Sequence, residues 1–276
     1  IKIEILLLSN MKKIKTLFHY LSVKCSAFWA WYKALYVGRK WYVKTTAVIG
    51  TLIVSFFLYL GAVDINLFWL FGKSPGWVDI SEHKTNEASE LYSADGVLLG
   101  KYFNQNRTPV KYEEVNPMFW RALIDTEDER FYDHWGIDPL GVLGAAKDAA
   151  TGRGGRGAST ITQQLAKNMF RVRTKYSTGL MGKIPGVKLL IMKTKEWITA
   201  VKFELYFSYT QGRDKGKKEI LTQYANTVDF GHNAYGIKTA AQTYFNTTPD
   251  KLTTDQCAIL VGMLKATTYY NPISHP

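Results

Sequence analysis

Residues 152–168 read Gly-Arg-Gly-Gly-Arg-Gly-Ala-Ser-Thr-Ile-Thr-Gln-Gln-Leu-Ala-Lys-Asn. A glycine and arginine loop gives way at Ser159-Thr160, residue types that cap helix N-termini, to a run with helical spacing. That spacing predicts a helix over 159–170. Thr160, Gln164 and Lys167 fall at i, i+4 and i+7 on one face, and Ile161, Leu165 and Met169 on another, apolar face. Polar side chains beside a helix N-terminus suit hydrogen bonds to sugar hydroxyls and to diphosphate oxygens. The bland alternative is an ordinary capped surface helix. No Gly-Lys-Ser/Thr follows the glycines, so the loop does not spell a nucleotide P-loop.

Working outward, similar periodicity predicts helices over 116–129, 140–150, 192–209, 218–227, 234–244 and 254–265, so the chain beyond residue 88 is mainly α. A small β-hairpin is expected at 91–100, where Asp95-Gly96 separates two short apolar runs. Residues 171–191 contain Gly179, Gly182, Pro185 and Gly186 and read as a long mobile loop. Its apolar tips beside Lys175, Lys183 and Lys188 are able to dip into a membrane surface, although solvated loops of this composition are commoner.

The formal net charge of +12 raises the possibility of a polyanion partner, but residues 1–45 alone carry +8 of it. That concentration is sufficiently explained by anionic lipid, and no nucleic-acid partner is expected. Residues 45–63 hold no charge, and 19 residues at helical rise reach about 28 Å, close to the ~30 Å hydrocarbon core. This is the expected transmembrane helix. Lysine, arginine and aromatic residues crowd its N-terminal side and Asp64 follows it, which places residues 1–44 in the cytoplasm as a basic, aromatic tail and the remainder on the outer, periplasmic face of a single-pass inner-membrane protein. Residues 29–42 suit a juxtamembrane helix at headgroup level or a poorly ordered tail. Residues 64–87, apolar and then broken at Pro75-Gly76, read as a membrane-contacting stem. Met11 reads as an initiator, and the ten residues before it are assigned no function. Cys25 and Cys257 fall on opposite sides of the anchor, so no disulfide is expected. The five histidines lack ligand spacing, and no protein metal centre is expected.

Glu127-Asp128-Glu129-Arg130 is followed by Phe131, His134 and Gly136. A carboxylate among aromatic and apolar neighbours can serve as a general acid or base, though most acidic runs are solvated helix ends. Further on, Lys193 and Glu196 are i, i+3 neighbours, either a surface ion pair or a second carboxylate for glycosyl chemistry.

Taken in order, EDERFYDHWG (127–136), GASTITQQLAKN (157–168), KTKE (193–196), EILTQYANTVDFG (219–231) and QCAILVGMLKATTYYNP (256–272) resemble the five motifs of the peptidoglycan glycosyltransferases, glycosyltransferase family 51. The resemblance covers roughly residues 88–276 and implies a lysozyme-like catalytic domain. It also implies polymerisation of lipid II and the growing lipid-linked glycan strand into β-1,4 glycan. By that resemblance Glu127 is the general base and Glu196 assists the departing group, with Lys193 offsetting its charge. Asp128, Phe131 and His134 shape the pocket, while Ser159, Thr160, Gln164, Lys167 and Asn168 line the cleft around the diphosphate. A divalent cation, Mg2+ or Mn2+, at that diphosphate is implied in the same way, as are other cell-wall synthesis proteins as partners.

Three departures stand out. Met192 occupies the position where the family has Arg, so the diphosphate contact implied there is either lost or moved to Arg171, Arg173 or Lys175 in a loop longer than the family's usual one. Residues 210–216 look longer than the family's usual turn. The sequence stops at His275-Pro276, before an expected helix with paired arginines, so a truncated end is expected. The rival readings are a lysozyme-like cell-wall lyase or muramidase and a non-enzymatic membrane-bound polyanion binder.

Overall fold

A computed structural model describes residues 2–82, 89–95, 98–102, 108–152, 157–170, 172, 176–267 and 269–273. The chain divides into two compact units, residues 1–61 and 62–276. The first holds helix α1 (Lys2–Ala34) and most of α2 (Trp41–Asp64). Helix α2 is long and apolar enough to cross a membrane. Its Leu52, Phe57 and Leu58 stay largely exposed, as expected of side chains that meet lipid rather than a protein core.

The second unit contains the short α3 (Trp77–Ser81) and a two-stranded antiparallel hairpin, β1 (Ser89–Tyr92) with β2 (Leu98–Tyr102). Seven helices follow: α4 (Pro117–Glu127), α5 (Pro139–Ala150), α6 (Ile161–Phe170), α7 (Val187–Gln211), α8 (Arg213–Thr227), α9 (Ile237–Phe245) and α10 (Thr254–Lys265). Local chemistry explains the starts. Asn116 accepts a hydrogen bond from the Met118 N–H just ahead of Pro117. Asp138 does the same for Leu140 ahead of Pro139, and Thr253 forms a capping box with Gln256.

The core is built where α6, α7 and α8 pack together and α4 meets α10. Phe119, Leu123, Phe131, Ile161, Leu165, Phe203, Ile220, Tyr224 and Leu260 are its buried centre. Into this apolar mass α7 and α8 insert an ion pair, Lys217 Nζ to Glu204 Oε1 at 2.8 Å, with both side chains 1% exposed. Removing one partner of such a pair would strand a buried charge. Burial pushes the Lys217 ammonium down, and Glu204 opposes that shift.

Two expectations are corrected here. Residues 187–191 are not loop but the first turns of α7, and Leu180–Lys183 is ordered rather than a loose tip. The Met181 N–H donates to Leu70 O, and Lys195 Nζ donates to the carbonyls of Gly72, Lys73 and Ser177 at 3.0, 2.7 and 2.8 Å. Likewise the expected long turn at 210–216 shrinks to Gly212 (φ 84°), a left-handed break between α7 and α8. The Lys195 ammonium is fully buried, and burial brings it down to about 8. Around this clamp Phe68 and Trp69, both at positive φ, and Leu189 and Leu190 remain exposed and apolar.

Lys195→Met is expected to leave three carbonyls without their donor and to lower stability by about 2–4 kcal/mol. Denaturant unfolding of the detergent-solubilised protein measures the loss.

Candidate active site

Glu127 is the last residue of α4 and lies half-buried on the wall of a cavity of about 320 Å³. Asp125, Asp128, Glu129, Arg130, Asp138, Gly141, Gly144 and the 157–160 segment line the same cavity. Gln164 Nε2 donates to Glu127 Oε2 at 2.7 Å, and Gln164 Oε1 accepts from the Tyr224 hydroxyl at 3.0 Å. Two helices therefore aim an amide N–H at this carboxylate.

Asp128, one residue on, turns inward. Its Oδ1 and Oδ2 accept from His134 Nε2 at 2.9 and 3.1 Å, and Oδ2 also accepts from the Ile161 N–H at the start of α6. Gly136 N–H donates to His134 Nδ1, so the neutral ring carries its proton on Nε2, facing Asp128. The loop between them is held from three sides. Lys217 Nζ donates to His134 O, while Thr160 Oγ1 and Gln163 Nε2 both donate to Gly136 O. Gly136 has φ 83°, and a Cβ there would lie 2.8 Å from the Ala200 backbone, so only glycine allows α7 this close.

The third motif meets the second across the cleft. Lys193 Nζ donates to Ser159 Oγ at 2.8 Å, Gln163 Oε1 at 2.9 Å and Glu196 Oε2 at 3.3 Å. Glu196 is only 2% exposed. Its carboxylate faces Lys193 rather than open solvent, so the ion pair is part of the interior wall and not a surface ornament.

Glu127, Asp128, Ser159 and Thr160 thus border one cavity; Gln164 and Lys193 each reach a lining residue through one hydrogen bond, and Glu196 reaches it only through Lys193. Thr160 does not share a helical face with Gln164 and Lys167. It precedes α6, and its hydroxyl accepts from the Gln163 N–H as a cap. Phe131 is fully buried beneath the ring of contacts, with Lys217 Nζ 4.3 Å from its centroid, and supports His134 from behind. Lys167 is exposed and Asn168 half-buried farther along α6; neither lines this cavity. Met192 is buried where a basic residue was expected, and Arg171, Arg173 and Lys175 lie outside the described residues.

Sequence reading missed Lys217, Glu204, Gln163 and Tyr224. A usable signal existed, since Lys217, Ile220, Leu221 and Tyr224 follow i, i+3, i+4, i+7 and place a lysine on the apolar face of α8. Thr162 Oγ1 donates to Glu204 Oε1 at 2.7 Å and links this pair to α6.

An apolar anchor helix and a mainly helical, lysozyme-like domain with a carboxylate-lined cleft define the class. The chain belongs to the transglycosylase family, glycosyltransferase family 51, whose profile matches residues 95–276. It is 38% identical to penicillin-binding protein 1A of Escherichia coli K12 over 185 residues, covering 67% of this chain and 19% of that protein. Penicillin-binding protein 1A of Haemophilus influenzae is also 38% identical, with the same coverage. That of Vibrio cholerae is 34% identical over 219 residues, covering 78% and 24%. The chain thus spans about a fifth to a quarter of the length of these relatives.

Asp128→Asn would turn an amide N–H toward the donors His134 Nε2 and Ile161 N. It is expected to cost about 2–3 kcal/mol in thermal unfolding and to disorder the cleft. Asp138 offers a pH test. Its carboxyl is held below the usual range by the Arg130 hydrogen bond first, assisted by the Gly141 and Leu140 N–H groups. The stabilisation is complete above the unfolded value near ~3.9 and is lost as pH falls from there through the folded value. Asp138→Ala should therefore cost about 1 kcal/mol at neutral pH, with the gap to wild type closing in acid.

Proposed function

We propose that the domain polymerises lipid II into glycan strands, with Glu127 as the general base. In this reaction the sugar 4-hydroxyl of the acceptor attacks the anomeric carbon of a polyprenyl-diphosphate-linked glycan. The new C–O bond forms as the bond to the diphosphate breaks, the hydroxyl proton passes to Glu127, and an α-linked donor inverts to a β-1,4 product. The observation that supports this reading most is that the first two motifs line one cavity and the third bonds to Ser159 on its wall, while Gln164 leaves Glu127 one oxygen without a hydrogen-bond partner among the described residues.

A diphosphate leaves once its charge is stabilised. Lys193, bonded to Ser159 on the cavity wall, and Arg130, which lines the cavity, are cations the described residues offer, and Glu196 acts as the positioning partner of Lys193. A divalent cation, magnesium or manganese, fits this arrangement only as a companion of the substrate. Among the described residues no three His, Cys, Asp or Glu side chains come together as a metal cage. Such an ion would neutralise diphosphate charge.

The anchor helix would hold the domain on the outer face, as the basic N-terminal side and the positive-inside rule direct. The exposed apolar residues Ile65, Leu67, Phe68, Trp69, Leu189 and Leu190 would rest against that membrane, where the lipid-linked substrate resides.

The test is a polymerisation assay with labelled lipid II in detergent or vesicles. Wild type should produce glycan strands and Glu127→Gln should lose at least about 100-fold in rate. Full polymerisation by Glu127→Gln would remove the base. Release of soluble fragments from purified sacculi without use of lipid II would establish a lyase or muramidase instead.

A further inference from the structure

Tyr224 sits on α8 in the core, 1% exposed. Its hydroxyl is its one polar side-chain atom, and among the described residues its single hydrogen-bond partner is Gln164 Oε1 at 3.0 Å. The same amide places Nε2 at 2.7 Å from Glu127 Oε2. We propose that Tyr224 is a positioning residue that fixes which end of the Gln164 amide faces Glu127 and thereby holds that carboxylate in its proton-accepting form. The inference rests on Glu127 being the general base.

The argument follows from donor and acceptor inventories. An ionised carboxylate only accepts, so it requires the amide N–H. The amide carbonyl then points the other way and needs a donor, which the Tyr224 O–H supplies. Protonated Glu127 has two arrangements: it keeps accepting the amide N–H at Oε2, now as a neutral and weaker acceptor, or the chain reverses, its O–H donating to Gln164 Oε1 while the amide N–H turns toward the tyrosine oxygen. The phenol proton is then left in the core with no second acceptor among the described residues, which penalises the reversed chain. The phenol stays a donor because burial first, and then the Glu127 charge, push its ionisation upward.

Other charges near Glu127 are accounted for. Asp125, Asp128, Glu129, Arg130 and Asp138 share its cavity, with Asp128 committed to His134 and Ile161, and Arg130 to Asp138. On α7, Lys193 and Glu196 pair with each other behind Ser159 and Gln163. On α10, which packs on α4, Asp255 and Lys265 are exposed and Cys257 is buried. On α6 Lys167 is exposed, and Lys217 of α8 is committed to Glu204 and His134. None of these orients the Gln164 amide.

The experiment is the pH profile of kcat/KM for lipid II polymerisation, measured on the full chain for wild type, Glu127→Gln, Tyr224→Phe, Gln164→Leu and the Gln164→Leu/Tyr224→Phe pair. Tyr224→Phe should move the acid limb up by about one pH unit, so that its rate loss is about tenfold greater on that limb than on the alkaline plateau. Gln164→Leu should move the limb in the same direction. The pair should move it no further than Gln164→Leu alone, since the tyrosine acts only through that amide. An equal proportional loss at every pH would show a merely structural role and overturn the inference, as would additive shifts in the pair. If Tyr224→Phe yields no folded protein, Gln164→Leu decides, and an unmoved acid limb there overturns it. Activity retained by Glu127→Gln would instead sink the base assignment. An inactive Glu127→Gln with unmoved limbs in the other variants would sink only the role given to Tyr224.

Discussion

A carboxylate taken out of water must find its hydrogen-bond donors inside the protein, and the donors that Asp128 finds are what bring the site together. The His134 ring and the first N–H of α6 come from segments six and thirty-three residues away in sequence, and both close onto one pair of oxygens. With those bonds made, α4 must end where it does, since residue 128 turns back into the core. Glu127, one position earlier, is then left on the cavity wall. The half-buried carboxylate owes its place to the buried one.

Behind this lies a second tier of buried polarity. Lys217 is shared between Glu204 and the His134 carbonyl, and Glu204 also takes the Thr162 hydroxyl, so one lysine and one glutamate connect α6, α7, α8 and the loop after α4. Glu204 Oε2 has no hydrogen-bond partner among the described residues, so the network is not fully satisfied. A hydrophobic substitute could fill the same space, but it would not fix the His134 carbonyl in direction. The position of that carbonyl sets the loop that carries the ring, and the ring sets Asp128.

Much of this was legible in the sequence. The motif blocks named Glu127, Asp128, His134, Ser159, Gln164, Lys193 and Glu196, and the structure gathers these residues around one cleft or directly behind it. The positions of α4, α6, α8, α9 and α10 followed from apolar spacing because each buries apolar residues in the core. Three kinds of information were not legible. Thr160 was read as part of a helical face because i, i+4 spacing cannot tell a cap from a first turn. The start of α7 at Val187 was hidden because Leu189 and Leu190 are exposed, so the pattern lacked the one-sided burial that marks a helix. Lys217 and Lys195 were not singled out, since sequence shows charge but not the carbonyls waiting for it.

Lys195 and Glu196 are neighbours on α7, yet they serve different places. The first grips the backbone that follows the anchor helix, at Gly72 and Lys73, while the second faces Lys193 and the cleft. A helix is stiff along its axis, so a pull on residues 72–73 enters α7 one residue away from the wall of the cleft. The cleft wall and this attachment are thus parts of one strut. Such a pull would be borne by two ammonium groups of α7, Lys195 on the carbonyls of Gly72, Lys73 and Ser177 and Lys202 on Asp64 and the Pro75 carbonyl, before it could distort the cleft.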